Sequence, residues 1–389
     1  MKKLLAILLS INLILISPLC FAKEKKLHST VMTLKENVTM DLHSKSACLM
    51  EAETGEILYE QSANEKLEPA SVTKIMTVLL VYEALSDGRI NKTDIVTASK
   101  TASEMGGSQI WLEEGEQMTV DEMLKAILVV SANDCTVAMA EHLAGSEEAF
   151  VTLMNEKAKE LSMENTNFKN STGLPIEGHY TSAKDIALMT RELLKYEDVF
   201  NYTLIWMDSL RNGEFGLSNT NKLIRFYPGA NGMKTGFTDS ALYCMSATAT
   251  RDGMTLISVV MKADTSDNRF SDAKKLLDYG FANFSVYRID EQKLPPLKVK
   301  GGVADSVALK YTSSAILLTK GRDKLVESKI TLPEYIKAPV DEGQVVGQIS
   351  YSLCGEEIAV VDITTLNGIE KISFSQILKK LIGTAVMIR

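Results

Sequence analysis

Ser71 and Lys74 stand three residues apart in Glu68-Pro69-Ala70-Ser71-Val72-Thr73-Lys74, just ahead of an apolar stretch over residues 75–85. Pro69 suits a helix entrance and Gly88 a stop beyond Leu85, so the stretch reads as one helix. It is apolar nearly all round, which is the pattern of a helix buried in a core. The spacing puts both side chains on one face of the first turn. A serine hydroxyl is a poor nucleophile until a base takes its proton, and a lysine amine becomes that base only when burial or cationic neighbours keep it neutral. The positive end of the helix dipole also favours an anion at Ser71. Taken alone, Ser-x-x-Lys is common by chance.

Two later constellations raise its weight. Thr119-Val120-Asp121-Glu122 is a capping box opening a helix through Val130, and that helix delivers Ser131-Ala132-Asn133. As plain structure these residues, with Asp134, are a loop and the cap of the next helix, residues 135–143. Beside an activated serine, Ser131 is a proton relay, and Asn133 is an amide that holds a substrate carbonyl or positions Lys74. The third constellation is Lys234-Thr235-Gly236, ahead of two β-rich runs joined at Asp252-Gly253, a strong hairpin signal. On an edge strand Lys234 supplies positive charge, Thr235 a hydroxyl for a carboxylate, and Gly236 room for a substrate backbone. His179 offers no triad spacing, and Ser71 already has a base candidate three residues away.

The elements around these residues are readable in outline. Residues 47–50 and 56–59 flank Thr54-Gly55 as a hairpin feeding the Ser71 helix. Residues 89–118 read as irregular, with Gly106-Gly107 marking a loop. Helices are expected over 147–161 and 186–196, separated by the Gly- and Asn-rich loop 165–175. With 389 residues, the chain has material for two or three domains and an ample core. Its 45% hydrophobic and 24% charged content is ordinary for a globular protein, and a net charge of −8 with no basic patch argues against nucleic acid as a partner. Cys48, Cys135, Cys244 and Cys354 show no paired spacing and read as buried free thiols; the four histidines form no ligand pattern, so no metal site is expected.

Lys2 and Lys3 precede an apolar run over residues 4–16, and Ser17-Pro18-Leu19-Cys20-Phe21-Ala22 offers a break and small residues for cleavage after Ala22. Residues 1–22 are therefore a signal peptide. Lipidation at Cys20 is disfavoured by the bulk of Leu19, and the run is short for a bilayer span. The mature chain is expected to be exported, with a flexible segment over 23–42. From about Phe284 the composition changes: Leu294-Pro295-Pro296-Leu297 reads as a linker, and short β-rich runs follow (306–311, 315–318, 325–332, 345–353 and 357–363). In the tail, Phe374, Ile377, Leu378, Leu381, Ile382, Ala385 and Val386 recur at helical spacing with lysines largely off that face. The expected form is an amphipathic helix over 370–389 lying at a membrane surface, or else packed on the β domain.

The ordered set resembles the penicillin-binding serine D-Ala-D-Ala carboxypeptidases of low molecular mass. Ser-x-x-Lys, Ser131-Ala132-Asn133-Asp134, Asn170-Ser171-Thr172-Gly173-Leu174-Pro175 and Lys234-Thr235-Gly236-Phe237-Thr238 carry the likeness over roughly residues 40–285. It implies an α+β fold: a catalytic domain over 43–284 with a five-stranded antiparallel sheet packed by helices, then a small β sandwich over 285–369. It implies that Ser71 is acylated by the penultimate D-alanine of a peptidoglycan stem pentapeptide, with Lys74 as base and Ser131 as relay to the leaving amine. Asn133 would bind the peptide, Lys234 and Thr235 the terminal carboxylate, and the N–H groups of Ser71 and Phe237 the oxyanion. Gly236 belongs to the same substrate-binding strand. Penicillin would acylate Ser71, no cofactor or metal is implied, and the site of action is the outer face of the cell membrane. A serine β-lactamase is the nearest alternative. It is disfavoured by the extra domain and by the lack of a Glu-x-x-x-Asn motif, since Glu164 is followed by Phe168. A non-catalytic wall-binding protein is the alternative of another class, disfavoured by three intact motifs.

Overall fold

The computed structural model describes residues 38–291 and 293–378. The expected signal peptide, most of the expected flexible segment and the end of the expected tail helix lie outside the described residues.

A five-stranded antiparallel sheet forms the middle layer. Its strands are β1 (Ser44–Glu51), β2 (Ile57–Gln61), β3 (Ala230–Thr238), β4 (Leu242–Arg251) and β5 (Met254–Ala263), in the spatial order β2-β1-β5-β4-β3. The first strand thus pairs with the last, Ala47 opposite Val260. Strands β4 and β5 meet at Asp252-Gly253, both at positive φ (49° and 77°), the two-residue turn that matches strand twist.

Both faces of the sheet are covered, which is why its strands are almost continuously apolar rather than alternating. Cys48 and Met50 of β1 point into one core and Ala47 and Leu49 into the other. The first core is built with α1 (Lys74–Ser86), α2 (Val120–Val129), α3 (Asn133–Ala144), α4 (Glu147–Glu160) and α5 (Ala183–Leu193). Ile75, Met76, Val78, Leu79 and Val81 of α1 are all fully buried, each contributing about 1.5–3 kcal/mol by its removal from water. The helix has no polar face to spare and occupies the centre of this layer. The second core packs Phe270, Leu276, Leu277 and Phe281 of α6 (Ser266–Asn283) against the opposite sheet face. That helix is absent from the sequence expectations.

The capping box at the start of α2 forms as expected, with Thr119 and Glu122 exchanging side-chain bonds to backbone N–H groups. The entrance to α1 differs from expectation. Residues Ala70–Thr73 form a 3-10 turn and the α-helix proper starts at Lys74. Small hairpins also appear where no strands were expected, pairing Ile95–Thr97 with Gln117–Thr119 and Met207–Leu210 with Phe215–Ser218.

A third core begins at Ile289 and is all-β, with two-, three- and four-stranded sheets sharing Leu297, Ile316, Leu318, Ile349, Leu353 and Ile363. Strand β6 (Phe284–Ile289) joins the two regions. It continues directly from α6 and pairs with Ser314–Thr319, and Leu317 of that partner packs into the second core. Three of the thiols are buried as expected. Cys354 is the exception, exposed at φ 52° before Gly355 in a hairpin turn.

Candidate active site

Ser71 sits in the tight turn before α1, and the turn is held open by backbone strain. Ala70 has φ 49°, a left-handed conformation that costs an alanine roughly 1–2 kcal/mol. Gly173 makes this possible from the opposing loop. A Cβ there would come within 1.8 Å of the Ala70 carbonyl oxygen, and its own φ is +84°. Only glycine fits at 173.

Lys74 is fully buried at the head of α1. Its Nζ lies 3.0 Å from Ser71 Oγ and donates to Asn133 Oδ1 at 2.6 Å and to the Thr172 carbonyl at 2.8 Å, so in the neutral amine the remaining lone pair faces the serine hydroxyl. Burial, then repulsion from Lys234, pushes its pKa well below the ordinary lysine value, against a smaller pull from Asp134. The amine is therefore close to the serine hydroxyl and disposed to be neutral, the two properties a general base requires.

Asn133 opens α3. Its Oδ1 takes the lysine proton donor, and its Nδ2 donates to the Gly106 carbonyl at 2.6 Å. Both ends of the amide are thus engaged by the protein, with Oδ1 positioning Lys74 and the second Nδ2 hydrogen left over for a further acceptor. Ser131, at φ 68°, is buried, and its Oγ has no hydrogen-bond partner among the described residues. A buried hydroxyl without a partner is costly unless a ligand or reacting group supplies one.

Strand β3 lies at the sheet edge and presents Lys234, Thr235 and Gly236. Lys234 Nζ donates to the Thr235 carbonyl at 2.9 Å, and Thr235 Oγ1 donates to Thr220 Oγ1 at 2.8 Å. Burial and then Arg269 lower Lys234 to about 7. Gly236 has a structural reason besides the expected one. A Cβ there would lie 2.9 Å from the Pro69 carbonyl and 3.0 Å from the Ser71 nitrogen, so glycine lets the edge strand close on the serine turn. Phe237, half exposed, leans on Tyr243 with ring centres 4.5 Å apart.

All three sequence constellations therefore converge. A family model described as D-alanyl-D-alanine carboxypeptidase matches residues 31–265, more than half of the chain. The chain belongs to the D-alanyl-D-alanine carboxypeptidase family. A second model, the C-terminal domain of penicillin-binding protein 5, matches residues 281–371 of this carboxypeptidase. It is 42% identical over 391 residues to D-alanyl-D-alanine carboxypeptidase DacF of Bacillus subtilis, covering 98% of each chain. It is 32% identical over 382 residues to DacC of Escherichia coli, covering 93% of this chain and 90% of that one. Among solved structures it resembles penicillin-binding protein 5 of Haemophilus influenzae, with a TM-score of 0.76, 31% identity, and coverage of 86% of this chain and all of that one. The ampicillin-bound penicillin-binding protein D2 of Listeria monocytogenes matches 63% of this chain and all of its own, with a TM-score of 0.58 and 31% identity.

Several residues that hold the carboxypeptidase site together escape a sequence reading. Arg269, buried on α6, donates to the carbonyls of Gly236 at 3.1 Å and Cys244 at 3.5 Å, and burial lowers its pKa to about 10. Glu147 accepts from the Ser171 N–H at 2.9 Å and its hydroxyl at 2.5 Å, fixing the loop whose next carbonyl receives Lys74. His179 is bonded to Thr73 Oγ1 at 2.9 Å through Nε2 and accepts the Lys169 N–H at Nδ1. With Nδ1 accepting, Nε2 must carry the proton and donate. Burial lowers this imidazole to about 4, so it is a neutral brace for the turn between Ser71 and Lys74.

Proposed function

We propose that Ser71 is the nucleophile of a serine D-alanyl-D-alanine carboxypeptidase acting on peptidoglycan stem pentapeptides. The observation that carries this reading is the contact of Lys74 Nζ with Ser71 Oγ at 3.0 Å, with the amine's pKa held low by burial and by Lys234. Neutral Lys74 takes the hydroxyl proton as Oγ attacks the penultimate D-alanine carbonyl. The N–H groups of Ser71 and Phe237 receive the oxyanion, on the close approach of β3 to the serine turn. Ser131, with its free hydroxyl, relays a proton to the departing D-alanine amine. Lys234 and Thr235 bind the terminal carboxylate, and Asn133 orients Lys74 and meets the peptide. Water then hydrolyses the ester. β-Lactams acylate the same serine.

The chain divides, in this reading, into a catalytic unit over 43–284 and a β unit over 285–369, after a signal peptide over 1–22. The tail helix lies at the outer surface of the cell membrane. Residues 374–378 are helical, and Phe374, Ile377 and Leu378 are exposed, which supports an apolar face without a protein partner. No helix among the described residues is long and apolar enough to cross a membrane. Deleting residues 371–389 is expected to move the protein from the membrane fraction to the soluble one. Unchanged partitioning removes that assignment.

The catalytic reading is tested with labelled penicillin and a pentapeptide. A covalent adduct on Ser71 lasting minutes or longer is expected, abolished in Ser71→Ala, together with repeated release of D-alanine from the peptide. Rapid turnover of penicillin without D-alanine release overturns it.

A further inference from the structure

Trp111 carries a conformation that needs a reason. Its φ is +62°, a left-handed backbone that is a genuine outlier for a bulky residue, yet its ring is 67% exposed and so is not held there by burial. Polar groups hold the backbone from both sides. Buried Asp134 Oδ2 accepts the N–H groups of Ile110 at 3.0 Å and Leu112 at 3.1 Å. Arg211, paired with Glu116 at 2.8 Å, donates to the carbonyls of Ile110 at 2.8 Å and Trp111 at 3.2 Å. The indole is thereby presented to solvent.

Where it is presented is set by the same bonds. Asp134 directly follows Asn133, and the Asn133 N–H donates to the Ser108 carbonyl at 2.7 Å. Trp111 therefore stands at the rim of the site, three residues beyond the backbone that touches Asn133, a reach of at most about 10 Å. Beside it opens a cleft of about 610 Å³ lined by Trp111, Glu113, Glu114, Gly115, Glu116 and Arg211. An exposed aromatic face next to carboxylate acceptors suits a neutral ring with one apolar C–H face and several hydroxyl donors, which is the chemistry of a sugar.

We propose that Trp111 and this cleft form a subsite for the glycan to which the stem peptide is attached. The inference rests on the carboxypeptidase reading above. A pentapeptide places four residues between its sugar and the bond to be cut, an extended span of about 13 Å. This matches a sugar site at the rim, not beside Ser71. The indole stacks on the pyranose, and Glu113 and Glu114, both exposed, accept its hydroxyls.

The test compares D-alanine release from a free pentapeptide and from the same peptide on its disaccharide, in the unmodified protein and in Trp111→Gly, Trp111→Ala and Trp111→Phe. The preference for the sugar-bearing substrate, as a ratio of kcat/KM, is expected to fall about five- to ten-fold in the Gly and Ala variants, the size of one aromatic contact, through KM and not kcat. Phe is expected to restore most of it. An unchanged ratio, or an equal fall on both substrates, overturns the sugar subsite; the latter moves the contact to the peptide. Failure of the unmodified protein to release D-alanine from either substrate refutes the carboxypeptidase reading instead.

Discussion

Lys74 Nζ lies closer to Asn133 Oδ1, at 2.6 Å, than to Ser71 Oγ, at 3.0 Å. The amide oxygen favours the protonated amine, whereas burial and Lys234 favour the neutral one. The pKa of Lys74 is therefore a balance between burial and named neighbours, of which Asn133 and Lys234 can be removed separately.

Asn133→Ala removes the acceptor that stabilises the ammonium form. The pKa of Lys74 falls further, so the acidic limb of the acylation profile is expected to move to lower pH. The maximal rate falls about 10²-fold because the amine is no longer aimed at Ser71. Penicillin acylation rates measured from pH 5 to 9 check both effects. A limb moving to higher pH contradicts the balance.

Lys234→Met is expected to move the limb the other way. Removing the positive neighbour raises the pKa of Lys74, and carboxylate binding is lost with it. The same variant gains stability. Lys234 titrates at about 7 when folded and near 10.5 when unfolded, so between those values the unfolded chain holds more protons and stability rises with pH, by at most about 1.4 kcal/mol per unit. That rise is expected to flatten in melting curves from pH 7 to 10, most of the gain appearing at the low end.

Lys74→Arg keeps the charge but cannot deprotonate, so the variant is expected to fold and to acylate orders of magnitude more slowly. Intact-protein mass after a timed exposure to penicillin reads this directly. Near-normal labelling removes Lys74 from the role of base.

His179→Ala separates a brace from a triad member. It orphans Thr73 Oγ1 and the Lys169 N–H, a cost of about 1–3 kcal/mol, while acylation is expected to stay within about ten-fold. In the unmodified protein the imidazole, neutral down to about pH 4, has its pKa depressed by folding. It therefore lowers stability as pH falls through 6.5 toward 4, and that part of the acid transition is expected to vanish in the variant.

Gly173→Ala is expected to be severe, because a Cβ would sit 1.8 Å from the Ala70 carbonyl. The serine turn and the Thr172 carbonyl that receives Lys74 must shift together. A loss of at least about 2 kcal/mol in stability and most of the acylation rate is expected. Gly88→Ala, also at positive φ but with open space around it, is the control and costs about 1 kcal/mol.

Ser71, Lys74, Ser131 and Lys234 were legible because each lies beside a local signal: a buried helix, a capping box, a hairpin. What holds them was not. The His179–Thr73 bond spans 106 positions and the Glu147–Ser171 bond 24, and nothing local to either residue marks the pairing. Arg269 was hidden for a further reason. It lies on α6, whose apolar residues are interleaved with Asp267, Asp272 and Asp278, so the sequence there carries no clear helical stripe. Gly236 stands out in the sequence through its motif, but its packing on Ser71 belongs to the three-dimensional fold alone.

The sheet order sets when the site can first exist. Strand β1 is interior and needs β5 as a neighbour, with Ala47 opposite Val260. At roughly 5–20 residues per second, about 10–40 s of synthesis separate the two. Throughout that interval the opening strand has an unmet edge, and Lys234 and Gly236, on the strand beyond β4, have no completed sheet to hold them against Ser71. A nascent chain or proteolytic fragment ending before Met254 is thus expected to escape covalent labelling by penicillin, so that labelling would count only chains in which Ser44–Glu51 and Met254–Ala263 have paired.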